Sequence, residues 1–207
     1  LEGVPSGIVD AHLHQWNPRR MPSSSDVLTR GLRQLAGMGS RIIPRVTGRV
    51  EPEFLLNPSA LLRAYEPRDY LADAARVQPV TGARIDTEVG VESLSLSARD
   101  TSPLGETGYI ASLPFGVGSA PRLGAVIAAG DPGEADFGAR LDEHAAITDL
   151  LRGVRWCAAR HPDPGVRDFA VDDGALSSAE FLAGFEQIAR RGLVFEVMCY
   201  SHQLYDV

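Results

Sequence analysis

Strand-like and helix-like stretches alternate along this chain. That rhythm constrains the fold more than any other feature, because consecutive βα units build a parallel sheet with helices on its faces. Residues 8–14 read as a first strand and 70–76 as a helix, with Pro67 suited to its first turn, where a missing N–H leaves nothing unpaired. Residues 83–89 read as a second strand, unusually polar because of Arg84, Asp86 and Glu88. A helix over 106–113, an apolar strand over 123–129, a helix over 137–150 and a fourth strand within 151–158 follow. Ser177-Ser178-Ala179-Glu180 has the spacing of a capping box, and the helix behind it aligns Phe181, Leu182, Phe185, Ile188 and Ala189 as a buried stripe. Gly192 ends that helix, and 193–200 read as a fifth strand, apolar enough to be covered on both faces.

At 207 residues and 44% hydrophobic content, a single domain over 1–207 with a sizeable core is expected. Residues 15–64 form one long connection rich in Pro, Ser, Gly and Arg. A connection of that length is usually a lid or a binding loop, and it is read here as an insertion after the first strand.

The charge balance is acidic, with 27 carboxylates against 20 basic residues, which disfavours nucleic acid and anionic membrane as partners. No apolar run approaches the ~20 residues of a transmembrane helix, and no basic segment leads into an apolar one as in a signal peptide. Cys157 and Cys199 lie in apolar strand-like runs and read as buried free thiols of a cytoplasmic protein. Every basic residue is arginine, so chemistry that needs a lysine (a Schiff base, a P-loop, a carboxylated bridging lysine) has no residue to use here.

The first strand ends in His12 and His14. Side chains alternate along a strand, so Asp10, His12 and His14 are expected on one face, with the two imidazoles about 6–7 Å apart. Such a pair can hold one divalent metal, and the acid upstream can steady the cluster from behind.

Val9-Asp10-Ala11-His12-Leu13-His14 resembles the first-strand signature of the amidohydrolase superfamily, in the manner of its lactonase-like branch of L-fuconolactonase and pyrone-dicarboxylate lactonase type. Residues 65–71, 151–155 and 193–197 leading to His202-Gln203-Leu204 are similar to further stretches of that branch and run in the same order. The resemblance implies an α/β fold, a (β/α)8 TIM barrel, of which this chain covers about the first five βα units. It implies a metal-assisted hydrolase, with zinc the expected ion, in which His12 and His14 are both metal ligands and catalytic. It also implies that a further histidine and a general-base aspartate belong to strands six to eight. The absence of lysine favours a mononuclear or metal-free member over the binuclear ones. In the metal-free case the two histidines donate hydrogen bonds to the substrate carbonyl.

Arg155 closes the fourth strand and is a candidate clamp for a substrate carboxylate. Tyr200 and His202 follow the fifth strand, where such barrels keep their active sites, and Trp16 is a candidate apolar wall. Glu88, Glu92 and His161 are weaker candidates, and His144 is expected to be solvated on a surface helix. The expected partner is a small-molecule substrate, a sugar lactone or carboxylated cyclic ester. The alternatives are a metal-dependent decarboxylase of the same superfamily and a truncated, non-catalytic binding protein. A sheet cut after its fifth strand leaves open edges, which invite pairing into a homo-oligomer.

Overall fold

The computed structural model describes residues 7–17, 20, 63–92, 104–166, 168–170 and 174–205. Five strands, β1 (Gly7–Leu13), β2 (Arg84–Val91), β3 (Arg122–Ala129), β4 (Leu151–Cys157) and β5 (Val194–Met198), form one sheet in sequential order. Every neighbouring pair is parallel, as the βα rhythm predicts. Helices α1 (Pro67–Ala74) and α2 (Gln78–Thr81) connect β1 to β2. Helix α3 (Leu104–Ala111) precedes β3, α4 (Phe137–Ile147) precedes β4, and α5 (Ala179–Arg190) precedes β5. Of the long 15–64 connection, all but 15–17, 20, 63 and 64 lies outside the described residues. Its two ends are pinned together by an antiparallel bridge between Trp16 and Tyr65.

The sheet is curled. Four strand spacings would separate β1 from β5 by ~19 Å in a flat sheet. Yet His12 Nδ1 of β1 and Glu196 Oε2 of β5 stand 3.9 Å apart. The edge strands have therefore bent toward each other, and side chains from both reach one spot.

The helices are cut by local chemistry. Pro67 takes the first position of α1, and the Asp69 carboxylate accepts the Glu66 N–H at 3.0 Å. Helix α5 is capped by Ser178, whose hydroxyl accepts the Phe181 N–H at 3.1 Å. The cap thus falls one residue later than the Ser177–Glu180 spacing predicts. Ser177 instead belongs to the 3-10 turn Ala175–Ser177 and bonds the Gly174 carbonyl. Gly192, at φ 63°, turns the chain out of α5 while the Leu193 N–H returns to the Ile188 carbonyl.

The helices pack on the outer face of the sheet. Tyr70 and Ala74 of α1 meet Ile85, Ile110 of α3 meets Val126, and Phe137, Leu141 and Ile188 of α4 and α5 surround Val154. Two expectations fail at the β5 side. Phe181 and Ile188 are buried, but Leu182 and Phe185 are 55% and 41% exposed and Ala189 is exposed too, so the buried stripe of α5 is narrower than its sequence suggests. Strand β5 is shorter than 193–200, and none of its residues is buried, because among the described residues it has a neighbour on one side only. Helix α4 also stops at Ile147, short of the predicted 150. Among the described residues, no helix is long and apolar enough to cross a membrane.

Candidate functional site

Regular alternation breaks inside β1. Its register against β2 slips between Asp10 and Leu13, the mark of a bulge, which re-aims side chains. Asp10 turns away from the face it was expected to share with the histidines. Its Oδ2 accepts the Tyr70 hydroxyl of α1 at 2.7 Å, and its Oδ1 accepts the His12 backbone N–H at 3.2 Å. Asp10 therefore steadies the backbone beneath His12 rather than a ring nitrogen.

His12 and His14 converge. Their Nε2 atoms are 3.3 Å apart and their rings meet edge to face. His14 Nδ1 lies 2.8 Å from the Val91 carbonyl, which only accepts, so Nδ1 carries the proton and Nε2 keeps its lone pair. Burial pushes the His14 imidazole below the usual histidine value, and the nearby Arg155 and His12 push the same way against the Val91 bond. A neutral ring with its lone pair on Nε2 follows.

Arg155 completes a triangle. Its Nη1 lies 3.2 Å from His14 Nε2 and 3.5 Å from His12 Nε2, with the Glu92 carbonyl also at 3.5 Å. Arg155 is 9% exposed, and burial lowers its pKa while Glu196 opposes that. Glu196, absent from the residues singled out in the sequence, joins the site from β5. Its Oε2 is 3.9 Å from both His12 Nδ1 and Arg155 Nε. The available signal was a lone acid inside an otherwise apolar strand, a position where burial penalises charge unless it is used.

The two imidazoles have the spacing of zinc ligands. With Zn–N bonds of ~2.0–2.1 Å, a tetrahedral ion separates two ligand nitrogens by about 3.3 Å. The described residues do not complete a metal site, however. Among them no three His, Cys, Asp or Glu side chains gather as one would need, and a guanidinium holds the third corner of the triangle.

The other candidates lie elsewhere. Tyr200 and His202 pack with His161, with ring centroids 5.3–6.2 Å apart, after β4 and β5. Trp16 stacks on Tyr65 at 5.1 Å. Glu88 lies within β2, fully buried, with Gln15 Nε2 donating to its Oε2 at 3.0 Å, while the Oε1 atoms of both residues are buried with no partner among the described residues. Burial, together with Asp10, pushes the Glu88 carboxyl up to about 7. His144 contradicts the expectation of a solvated surface histidine. It is 2% exposed, because its face of α4 turns toward α3 and the end of β2, where Thr107 and Glu92 receive it. Cys157 and Cys199 form no disulfide with each other; Cys157 is buried and Cys199 half-buried.

No family model matches the chain, and no solved structure matches it. A protein of Sinorhizobium fredii described as "Uncharacterized protein y4mH" is 25% identical over 200 residues, covering 95% of this chain and 55% of that relative. The chain spans about half the length of the relative it matches.

Proposed function

We propose that the protein is a hydrolase of the lactonase-like amidohydrolase kind, opening a sugar lactone or a carboxylated cyclic ester by attack of water on its carbonyl. The observation that carries this reading is the triangle of His12 Nε2, His14 Nε2 and Arg155 Nη1, with sides of 3.2–3.5 Å, near the C-terminal ends of β1 and β4. In parallel βα architectures that end of the sheet is where substrates bind.

The proposal includes the closed (β/α)8 barrel, of which a curled, sequentially ordered sheet of five parallel strands would be the first part. It also assigns the general-base aspartate to strands six to eight of that barrel. Within this chain, the Nδ1–H of His14 is committed to Val91, so its Nε2 offers a lone pair and cannot donate to a carbonyl. The donor's part falls to Arg155, whose buried guanidinium is placed to stabilise the negative charge that develops on the carbonyl oxygen. Its Nη1 is already engaged by two imidazoles and a carbonyl, so a substrate carboxylate would meet the rest of the fork. A zinc ion bound by His12 and His14 belongs to the proposal only with a further ligand from outside the described residues. Bound there, it would polarise the carbonyl and acidify water.

The test is proton release from a panel of sugar lactones and carboxylated cyclic esters, with and without added zinc. The expected result is turnover by the wild type and a loss of about 100-fold or more in Arg155→Met and His14→Asn. Turnover that survives both substitutions, or wild-type protein inert toward the whole panel, removes the reading.

A further inference from the structure

Behind the triangle lies a second polar cluster that the proposed chemistry does not use. Glu92 follows β2, Thr107 comes from α3 and His144 from α4; all three are buried, at 0%, 0% and 2% exposure. Glu92 Oε2 accepts the Ala129 N–H at 2.7 Å, and its Oε1 pairs with the Thr107 hydroxyl. The same hydroxyl oxygen stands 2.7 Å from His144 Nδ1. The backbone that Glu92 anchors is the backbone that holds the site. The Glu92 carbonyl accepts from Arg155, the Val91 carbonyl accepts from His14, and the Glu92 N–H donates to Ile127 at 3.0 Å.

We propose that Glu92, Thr107 and His144 form a two-state hydrogen-bond chain that positions His14 and Arg155. The inference deepens the reading of the same site, but its logic needs only the hydrogen count. A hydroxyl has one hydrogen to give. With Glu92 ionised, Thr107 donates to Glu92 and accepts from a His144 that carries its proton on Nδ1. With Glu92 protonated, the acid donates to Thr107, Thr107 donates to Nδ1, and His144 carries its proton on Nε2. The change takes up one proton in all. Glu92 gains it, while His144 releases one from Nδ1 and takes one on Nε2, staying neutral throughout.

The surroundings favour this exchange near neutrality. Burial lifts the Glu92 carboxyl to about 7, against its bonds to Ala129 and Thr107. Burial, with Arg140, lowers His144 to about 4, so the ring does not charge in the range where Glu92 titrates. Among the described residues, the charged groups around Glu92 are few. Arg140 of α4 is paired with Glu134, Glu106 of α3 is buried next to Thr107, Arg155 of β4 meets the Glu92 carbonyl, and neutral His14 meets its neighbour Val91. From β3 the contact is a backbone N–H. Thr107 and His144 are therefore positioning residues, with no contact to substrate required.

Nitrogen NMR of the imidazoles in the whole protein tests this without any substrate, so it stands or fails separately from the hydrolase reading. His144 should exchange its Nδ1 and Nε2 shifts with a midpoint near the Glu92 value of about 7, and the His14 resonances should move with the same midpoint. Glu92→Gln and Thr107→Val should abolish both steps, and Thr107→Ser should restore them. The wild-type titration decides by itself if a variant fails to fold. A His144 tautomer that never changes across neutral pH overturns the proposal. So does a tautomer exchange that leaves His14 unmoved.

Discussion

Arg155 and Glu196 are register partners on β4 and β5, and one oxygen of Glu196 stands 3.9 Å from both Arg155 Nε and His12 Nδ1. The carboxylate thus ties the guanidinium to the histidine from the side away from the Nε2 pair. Glu196→Gln keeps the shape and removes the charge. Hydrolysis should fall about 10-fold in kcat/KM, less than on loss of Arg155 itself, because the carboxylate orients the donor and does not meet the oxyanion. Arg155→Lys should not restore what Arg155→Met loses, since an ammonium in the place of Nη1 brings neither an Nε to face Glu196 nor a second arm to meet a carboxylate. Steady-state kinetics on a substrate found by the lactone panel checks both, and full activity in Glu196→Gln would remove Glu196 from the site.

Stability should depend on pH through the buried acids. Glu88 and Glu92 are pushed up from 4.5 to about 7, so between those values the folded chain holds protons that the unfolded chain has released. Their contribution is fully present below about 4.5 and is lost as pH rises through about 7. His144 runs the other way: it is lowered from 6.5 to about 4, so its contribution is present above 6.5 and is lost as pH falls through 4. Urea unfolding at about pH 5 and about pH 8 should show Glu92→Gln losing less stability over that interval than the wild type, by roughly 3 kcal/mol at most. Equal losses in the two proteins would mean that Glu92 ionises normally.

Most of this fold can be read from the sequence, because its cues are local. Apolar runs of strand length, Pro67 at a helix start and Gly192 at a helix end each act within a few residues. What misleads the sequence reading is non-local. His144 looks solvated because its helix carries Arg140, Asp142 and Glu143 around it, yet Thr107, 37 residues away, supplies the partner that lets it be buried. Glu196 reads as an oddity in an apolar strand until the curl of the sheet brings it to His12, far off in sequence. The β1 bulge has no sequence signal either. Asp10 and His12 look like companions on one face, and the register slip sends them to different neighbours.

The exposure pattern of α5 gives a direct check on its packing. Leu182 and Phe185 are 55% and 41% exposed, whereas Phe181 and Ile188 are buried. Leu182→Ser should therefore change stability by no more than about 0.5 kcal/mol, the range of ordinary surface substitutions. Ile188→Ala, which empties space among Phe137, Leu141 and Val154, should cost about 2–5 kcal/mol. Denaturant midpoints of the two variants measure the contrast. A Leu182→Ser loss as large as that of Ile188→Ala would show that α5 buries its whole apolar stripe.

The same substitution should have opposite signs at two helical glycines. Gly108 lies in α3, and a Cβ built there meets nothing within 4 Å among the described residues. Alanine at that position brings higher helix propensity and a less disordered unfolded chain, so Gly108→Ala should stabilise by up to about 1 kcal/mol. Gly184 lies in α5, and a Cβ there would overlap the backbone of Pro132, in the turn after β3. Backbone cannot swing aside as the tip of a flexible side chain does. Relief must come from α5 moving as a body, which loosens its contacts with Phe137, Leu141 and Val154 through Ile188. Overpacking of this kind typically costs about 1–3 kcal/mol, which outweighs the propensity gain. Thermal melts should show a raised Tm for Gly108→Ala and a lowered one for Gly184→Ala. A rise in both would mean that α5 stands farther from the β3–α4 turn than the contact with Pro132 requires.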